Sequence, residues 1–275
     1  KAEGDRAYCA GVNQFVFHTF AHQPYPATGP GFTFFFWGLN FNRANTWWEP
    51  GRAWMTYLTR CNAMLREGRP VADVLFLVGE DVPNRIGWRD ELRPPLPAGH
   101  DFDGCDVGVL MKATVRDGRI RLASGTEYRV LLLPDLPTMR PATLAQVRAL
   151  VASGATVLGR KPTQSPSLRD LGDGDATVRR LADELWGEGD ARTVARRVGS
   201  GLVFAGITFE DLFRQIGLTP DFDPGAARPG AEILYAHRQT DRADLYFVSN
   251  QGAATERFDA RFRTGSRAPE LWDPA

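Results

Sequence analysis

The 275-residue chain carries 33 Lys and Arg residues and 33 Asp and Glu residues, so its formal net charge is zero. The acidic and basic residues are interspersed, which predicts neither a nucleic-acid partner nor attachment to an anionic membrane surface. No run of 18 apolar residues occurs, so no segment predicts a transmembrane helix. The length suffices for two domains with substantial hydrophobic cores.

Three cysteines, Cys9, Cys61 and Cys105, are an odd number and lack the spacing of metal ligands. We expect buried thiols here, not disulfides or a zinc site. The chain starts within a helix-like segment without an initiator Met, and we expect it to be a piece of a longer protein. The lack of a signal peptide therefore says nothing about the compartment.

The first predicted domain, residues 1–68, contains a helix, a strand, a long loop and a second helix. Residues 1–10 have helical spacing, and the apolar, aromatic segment 14–18 predicts a buried strand. After a Pro- and Gly-rich loop, apolar residues recur at three- and four-residue spacing over 52–68, which predicts an amphipathic helix. Such a long connection in a compact βα unit indicates a functional loop.

The second predicted domain, residues 69–218, has the pattern of a parallel α/β layer. Nearly unbroken apolar segments predict strands buried on both faces, at 71–81, 128–133, 155–158 and 202–205. Helices predicted at 141–153, 176–186 and 208–216 alternate with them, as in right-handed βαβ units. The Asp117-Gly118 pair predicts a hairpin turn, and Asp103 is expected at or near the N-cap of a further helix.

The third predicted domain, residues 219–275, changes to an antiparallel pattern. Segments 232–237 and 244–250 predict strands, and apolar residues alternate with charged ones over 256–263. This half-buried pattern predicts the start of a β-sandwich.

A polar and aromatic cluster in residues 11–49 is the candidate functional site. Aromatic rings stack on the C–H faces of sugars, while imidazole and amide groups bind sugar hydroxyls. Such groups at the end of a strand are typical of a carbohydrate site on an α/β barrel. The alternative is structural, with the two tryptophans in the core and His22 capping a helix. The cluster also contains Asn40, Asn42 and Arg43, and the predicted substrate-binding residues are His18, His22, Gln23, Asn45, Trp47, Trp48 and Glu49.

Other catalytic motifs are missing from the sequence. There is no GxSxG nucleophile elbow and no P-loop, and Gly172-Asp173-Gly174 follows no strand. His18 and His22 have the spacing of two ligands on a helix, but HTFAH lacks the Glu of a zinc-binding HExxH motif. Cys105 has no partner motif for an amidotransferase triad. We therefore expect the α/β layer to be catalytically empty.

Several long blocks of the sequence resemble the bacterial α-L-rhamnosidases of glycoside hydrolase family 106. They are HTFAHQPY, NFNRANTWWE, YLTRCNAMLREG, LPAGHDFDGCD, EYRVLLLPD, LADELWG and YFVSN, and they extend over nearly the whole chain. The resemblance implies the last βα units of a (β/α)8 barrel in 1–68 and a flavodoxin- or class I amidotransferase-like α/β domain in 69–218, followed by a β-sandwich from 219. It also implies a carbohydrate partner, a calcium ion near the sugar subsite without identified ligands, and a periplasmic or secreted bacterial enzyme.

The resemblance further implies hydrolysis of terminal α-L-rhamnosyl linkages with inversion, by two glutamates upstream of the block formed by residues 1–20. Inversion requires a general acid and a general base with carboxyl groups roughly 6.5–9.5 Å apart. We expect no catalytic residue in this chain, and assign neither role to Glu49, Glu80 or Asp81. The second hypothesis is a noncatalytic carbohydrate-binding or assembly module, with the opening segment as a docking surface.

Overall fold

The computed structural model describes residues 1–25, 27, 29, 31–33, 36–37, 39, 41–189, 192–265 and 267–275. Its helices are α1 Ala2–Cys9, α2 Gly51–Leu65, α3 Val107–Leu110, α4 Pro141–Ala152, α5 Gly174–Trp186 and α6 Phe209–Ile216. Its strands are β1 Arg69–Pro70, β2 Val74–Leu77, β3 Phe102–Cys105, β4 Thr114–Arg116, β5 Arg119–Arg121, β6 Glu127–Tyr128, β7 Val130–Leu132, β8 Thr156–Leu158, β9 Val194–Val198, β10 Gly201–Ala205, β11 Phe222–Asp223, β12 Ile233–Gln239, β13 Asp244–Asn250 and β14 Arg261–Phe262.

The chain divides into two compact units, and neither is continuous in sequence. Unit 1 comprises residues 1–70, 227–257 and 264–275, and unit 2 comprises residues 71–226 and 258–263. Most of the segment predicted as a third domain thus belongs with the N-terminal segment. The three-domain division at 68 and 218 stays a prediction.

Unit 1 is held together by a buried carboxylate. The Asp5 side chain of α1 accepts hydrogen bonds from Tyr57 Oη of α2 at 2.8 Å and from Ser249 Oγ of β13 at 3.3 Å. Burial, together with the bond to Asp5, raises the pKa of Tyr57 above its ordinary value, so the phenol stays a donor. Strand β13 pairs antiparallel with β12, which pairs with β1. Asp5 therefore connects both helices to this sheet.

The strand predicted over 14–18 is wrong. Phe15 and Phe17 do point inward against the core formed by Tyr8 and its neighbours, while Val16 is 87% exposed. The segment has the alternation of an extended chain, but it joins no ladder among the described residues. Alternation of side chains reports an extended backbone, whereas a strand also needs a neighbouring backbone to pair with.

Unit 2 is built on a six-stranded sheet with the order β3-β2-β7-β8-β10-β9, in which only the edge strand β9 is antiparallel. Numbered along the chain, the five parallel strands have the order 2-1-3-4-5, which is one of the common orders of open α/β sheets. Leu131 faces the cluster that contains α4 and α5, and its neighbours Val130 and Leu132 face the cluster that contains α6. Helices thus cover both faces. The four predicted strands and the helices predicted at 141–153, 176–186 and 208–216 are present, with ends shifted by a few residues.

The structure differs from the sequence prediction at three places. Asp103 does not start a helix, because 102–105 pairs with β2 as strand β3, and Asp106 is the N-cap that accepts from Val109 N at 2.7 Å. Over 256–263 only β14 is a strand. Strand β9 was not predicted, because it is a largely exposed edge without apolar alternation. The turn at Asp117-Gly118 is confirmed, with φ of 52° and 72°.

A second buried carboxylate ties the C-terminal strand into unit 2. Asp73, 2% exposed, lies 2.6 Å from His100 Nδ1 through Oδ2 and 2.7 Å from Arg263 Nη2 through Oδ1. Burial would raise the pKa of Asp73, but the bonds to His100 and Arg263 outweigh it and lower that pKa. The carboxylate is therefore charged, and both of its oxygens are used.

We predict that Arg263→Met lowers the unfolding free energy of unit 2 by about 3–5 kcal/mol, because it leaves the buried Asp73 charge without its main counterion. Hydrogen exchange of the β2 amides measures this free energy. The matched control is Arg261→Met, two residues earlier and on β14. Arg261 is 81% exposed and pairs with Asp223 at the surface, so we expect little change.

The same pair of variants tests the sign of the pH dependence. Because the pKa of Asp73 is lowered in the fold, its contribution is fully present above the ordinary value of 3.8 and is lost as pH falls below it. The difference between the wild type and Arg263→Met should therefore shrink in acid. A difference that grew below pH 3.8 would contradict this assignment.

Candidate functional site

Backbone hydrogen bonds hold the two ends of the long loop side by side. Leu39 N donates to His18 O at 2.7 Å, and Thr19 N donates to Leu39 O at 3.0 Å. Phe41 N also donates to Thr19 O at 3.4 Å. His18 therefore lies beside the start of segment 41–49, so the loop brings together the two halves of the predicted site.

The side chain of Gln23 fastens the loop from inside. Its Nε2 donates to Phe32 O at 2.7 Å and to Ala21 O at 3.1 Å, while Phe32 N donates to its Oε1 at 2.7 Å. Gly31 has φ +90°, and a Cβ there would lie 2.2 Å from Oε1. The amide that was predicted to contact sugar is therefore engaged with the loop backbone, and glycine is required beside it.

Asn42 and Arg43 organise the second half of the site, although neither was among the predicted binding residues. Asn42 is 2% exposed, and its Oδ1 accepts from Ala44 N at 2.8 Å. Arg43 Nη2 donates to Gln23 O at 3.2 Å. One signal in the sequence could have identified Asn42. An Asn side chain often forms a hydrogen bond with the backbone two residues later in the chain, which favours a turn.

Asn45 presents a buried donor that lacks an acceptor. Its backbone lies in the turns, since Asn45 N donates to Asn42 O and Trp48 N donates to Asn45 O. Its Nδ2 is buried and has no hydrogen-bond partner in the described part of the chain. An unsatisfied buried amide costs about 1–3 kcal/mol, so a ligand or water oxygen at this position would be favourable.

The adjacent tryptophans point in different directions. Trp47 packs edge-on against Phe41 and Trp54, with ring centroids 5.3 Å and 6.4 Å away. Gly51 lies directly against Trp47, since a Cβ there would approach the ring to 3.0 Å. Trp48 is 38% exposed. Trp47 is thus part of the packed wall, and Trp48 offers an accessible ring.

The remaining predicted residues are on the surface. His18 and His22 are exposed, and the Glu49 side chain is 79% exposed with Arg52 Nη2 at 4.0 Å. Asn40 lies outside the described residues. The geometry can recognise a polar, ring-shaped ligand, but Glu49 is the only carboxylate of segment 41–49, and acid–base hydrolysis needs two.

The side chains that the structure describes offer no cluster of carboxylates for a calcium ion. No group of three or more His, Cys, Asp or Glu side chains among them is close enough together to hold a metal ion. Calcium requires six to eight oxygen ligands, usually with several carboxylates. We therefore assign no residue of this chain to it.

We predict that Gln23→Glu loosens the loop, because a carboxylate repels the carbonyl oxygens of Phe32 and Ala21 that the amide now contacts. Limited proteolysis should cut the variant faster within 23–32, by about fivefold or more if one such bond is lost. Gln14→Glu introduces the same charge at an exposed position and serves as the control. Equal cleavage rates in the two variants would show that the Gln23 bonds do not hold the loop.

Comparison with known proteins places these features in one family. The family model for the α-L-rhamnosidases of glycoside hydrolase family 106 matches residues 1–275. A protein of Formosa agariphila with the name "Putative beta-glucuronidase" is 37% identical over 272 residues, which are 99% of this chain and 22% of that protein.

A solved structure gives the same result in three dimensions. The rhamnosidase from Novosphingobium sp. PP1Y superimposes with a TM-score of 0.86 at 32% identity, over 98% of this chain and 26% of that one. The chain therefore spans about a quarter of the length of these relatives. Because the family model covers every residue and the rhamnosidase superimposes over nearly all of them, this chain belongs to glycoside hydrolase family 106, the α-L-rhamnosidases.

Proposed function

We propose that this chain is the substrate-contacting part of a longer enzyme that hydrolyses terminal α-L-rhamnosyl linkages. The observation that carries the proposal is the match of the rhamnosidase family model to all 275 residues. The geometry is compatible with this role, because an accessible Trp48 ring and the buried Asn45 donor lie in one short segment. His18 and His22 would add hydroxyl contacts. The ligand is a carbohydrate.

We assign the general acid and base of an inverting mechanism to glutamates in the longer protein. Glu49 is 79% exposed, and segment 41–49 contains no second carboxylate to complete an acid–base pair. Glu80 accepts from Arg140 N and Thr143 Oγ1, both at 2.8 Å, and so caps α4. Asp81 accepts from Thr138 Oγ1 at 3.1 Å. These two carboxylates have structural bonds and lie outside unit 1.

The finer domain assignments are part of the same proposal. Residues 1–68 would supply the last βα units of a (β/α)8 barrel, and 219–275 the start of a β-sandwich. The 2-1-3-4-5 strand order supports a flavodoxin- or amidotransferase-like domain in 69–218.

We assign the calcium ion expected from the family resemblance to the longer enzyme, which we propose to be periplasmic or secreted. No helix in the described ranges is long and apolar enough to cross a bilayer.

The noncatalytic binding or assembly module is the second candidate, favoured by the lack of a carboxylate pair at the site.

We predict that the purified 275-residue chain does not hydrolyse an aryl α-L-rhamnoside, whereas the longer enzyme does so with inversion. Without acid and base, the several decades of acceleration that such groups supply are lost. Product configuration is followed by NMR. Inverting hydrolysis by the isolated chain would contradict the assignment and return Glu49, Glu80 and Asp81 as candidates.

We predict that Trp48→Ala in the longer enzyme lowers kcat/KM by about ten- to a hundredfold, because stacking on an aromatic ring contributes about 1–3 kcal/mol. Trp47→Ala is the matched comparison. It should cost about 3 kcal/mol of stability by opening the packed wall, with kinetics near normal in the folded fraction. If both variants kept normal kinetics, segment 41–49 would not be a sugar subsite.

A further inference from the structure

A cleft of about 580 Å³ opens in unit 2 at the carboxyl ends of β7, β8 and β10. Its apolar lining comes from Leu132, Leu158 and Ile207, and the backbone of Gly159 and Gly206 forms part of its wall. Open α/β sheets bind ligands at this edge, and cavities of roughly 300–1,000 Å³ accommodate small molecules. None of the residues of the rhamnoside site described above lines the cleft.

The charged side chains around the cleft are mostly basic. They are Arg93, Arg160, Lys161 and Arg192, against a single acid, Asp135. Two of the cations are compensated. Lys161 Nζ lies 2.5 Å from Asp183 Oδ1 and 2.8 Å from Gly187 O, and Arg160 Nη1 lies 3.6 Å from Asp135.

Neither of the other two cations forms an ion pair with a carboxylate among the described residues, although Arg93 acts electrostatically on nearby Glu91. Arg93 Nη1 donates to the neutral carbonyls of Asp90 and Leu92, at 2.7 Å and 2.8 Å. Arg192 makes no side-chain hydrogen bond or ion pair with residues in the described ranges. Both are exposed. With the two other cations paired, the cleft is left with two positive charges from Arg93 and Arg192.

The usual anion position of such a sheet is already filled by the protein itself. In a sheet of the order 2-1-3-4-5, the strand order reverses at the point between β2 and β7. Related sheets bind phosphate groups at this switch point. Here the Glu80 carboxylate takes the Arg140 N–H and the Thr143 hydroxyl at the start of α4. A second anion at that point would be repelled, so the arginine-lined cleft is the position left for one.

The lining of the cleft contains no aromatic residue. Neutral sugars depend on stacking against aromatic faces, whereas guanidinium groups bind carboxylate and sulfate through charge-assisted hydrogen bonds. We propose that this cleft is a second carbohydrate subsite, specific for a saccharide that carries a carboxylate or a sulfate ester. Arg93 and Arg192 bind the anionic group, and the apolar floor contacts the sugar ring.

The test is an NMR titration of the full 275-residue chain, followed at the backbone amides of Gly159 and Gly206. The probes are D-glucuronate, D-glucose 6-sulfate, neutral D-glucose and inorganic sulfate. We expect saturable shifts with at least one acidic sugar, at a Kd about tenfold or more below those of glucose and inorganic sulfate. The two acidic probes distinguish carboxylate from sulfate recognition.

Arg93→Gln/Arg192→Gln should raise the Kd for the acidic sugar about tenfold or more, because both charge-assisted contacts are removed. Arg119→Gln/Arg179→Gln removes two exposed charges elsewhere on unit 2 and should leave the Kd unchanged. The undisturbed remainder of the NMR spectrum shows that the variants fold. Three results would each overturn the proposal. They are equal binding of glucose, equally tight binding of inorganic sulfate alone, and an unchanged Kd in the Arg93/Arg192 variant. None of these outcomes depends on rhamnosidase activity.

Discussion

A buried aspartate is the constraint on which each unit depends. A carboxylate tolerates a protein interior only when donors surround it, and its loss of hydration is then offset by strong bonds. Asp5 takes hydroxyl donors from Tyr57 and Ser249, and Asp73 takes donors from His100 and Arg263. In both cases one partner is distant along the chain. These directional bonds specify which remote segment completes the unit. An apolar contact would select that segment with less geometric precision.

The candidate site contains residues that support its structure and residues that are exposed or unpaired. Phe41, Trp47 and Trp54 pack together as a wall, and Gln23 uses its amide to close the loop. Trp48 keeps an exposed ring, and the Asn45 amide donor has no partner among the described residues. Support residues of this kind keep a binding geometry fixed before ligand arrives, which lowers the entropic cost of binding.

Regular elements were predictable from the sequence where one physical signal dominates. The periodicity of α2 and α5, the apolar segments of β2 and β7 and the Asp117-Gly118 turn each depend on local chemistry. Strand β9 was not predicted because its edge position exposes most of its side chains. The strand prediction for 14–18 was wrong because alternation of side chains does not show that the backbone is paired. At the site, residue types indicated sugar recognition, but the roles of Gln23 and Asn42 follow from loop closure, which sequence spacing does not encode. Likewise, no pattern distinguishes two adjacent tryptophans.

The discontinuity of unit 2 has a consequence for the order of events during synthesis. Asp73 leaves the ribosome 190 residues ahead of Arg263, the residue that neutralises it. At about 5–20 residues per second, that interval lasts about 10–40 s. Throughout it the nascent sheet carries a carboxylate whose main counterion has not been made. The stabilisation that the Asp73–Arg263 pair gives to unit 2 therefore becomes available only after residue 263 has been made.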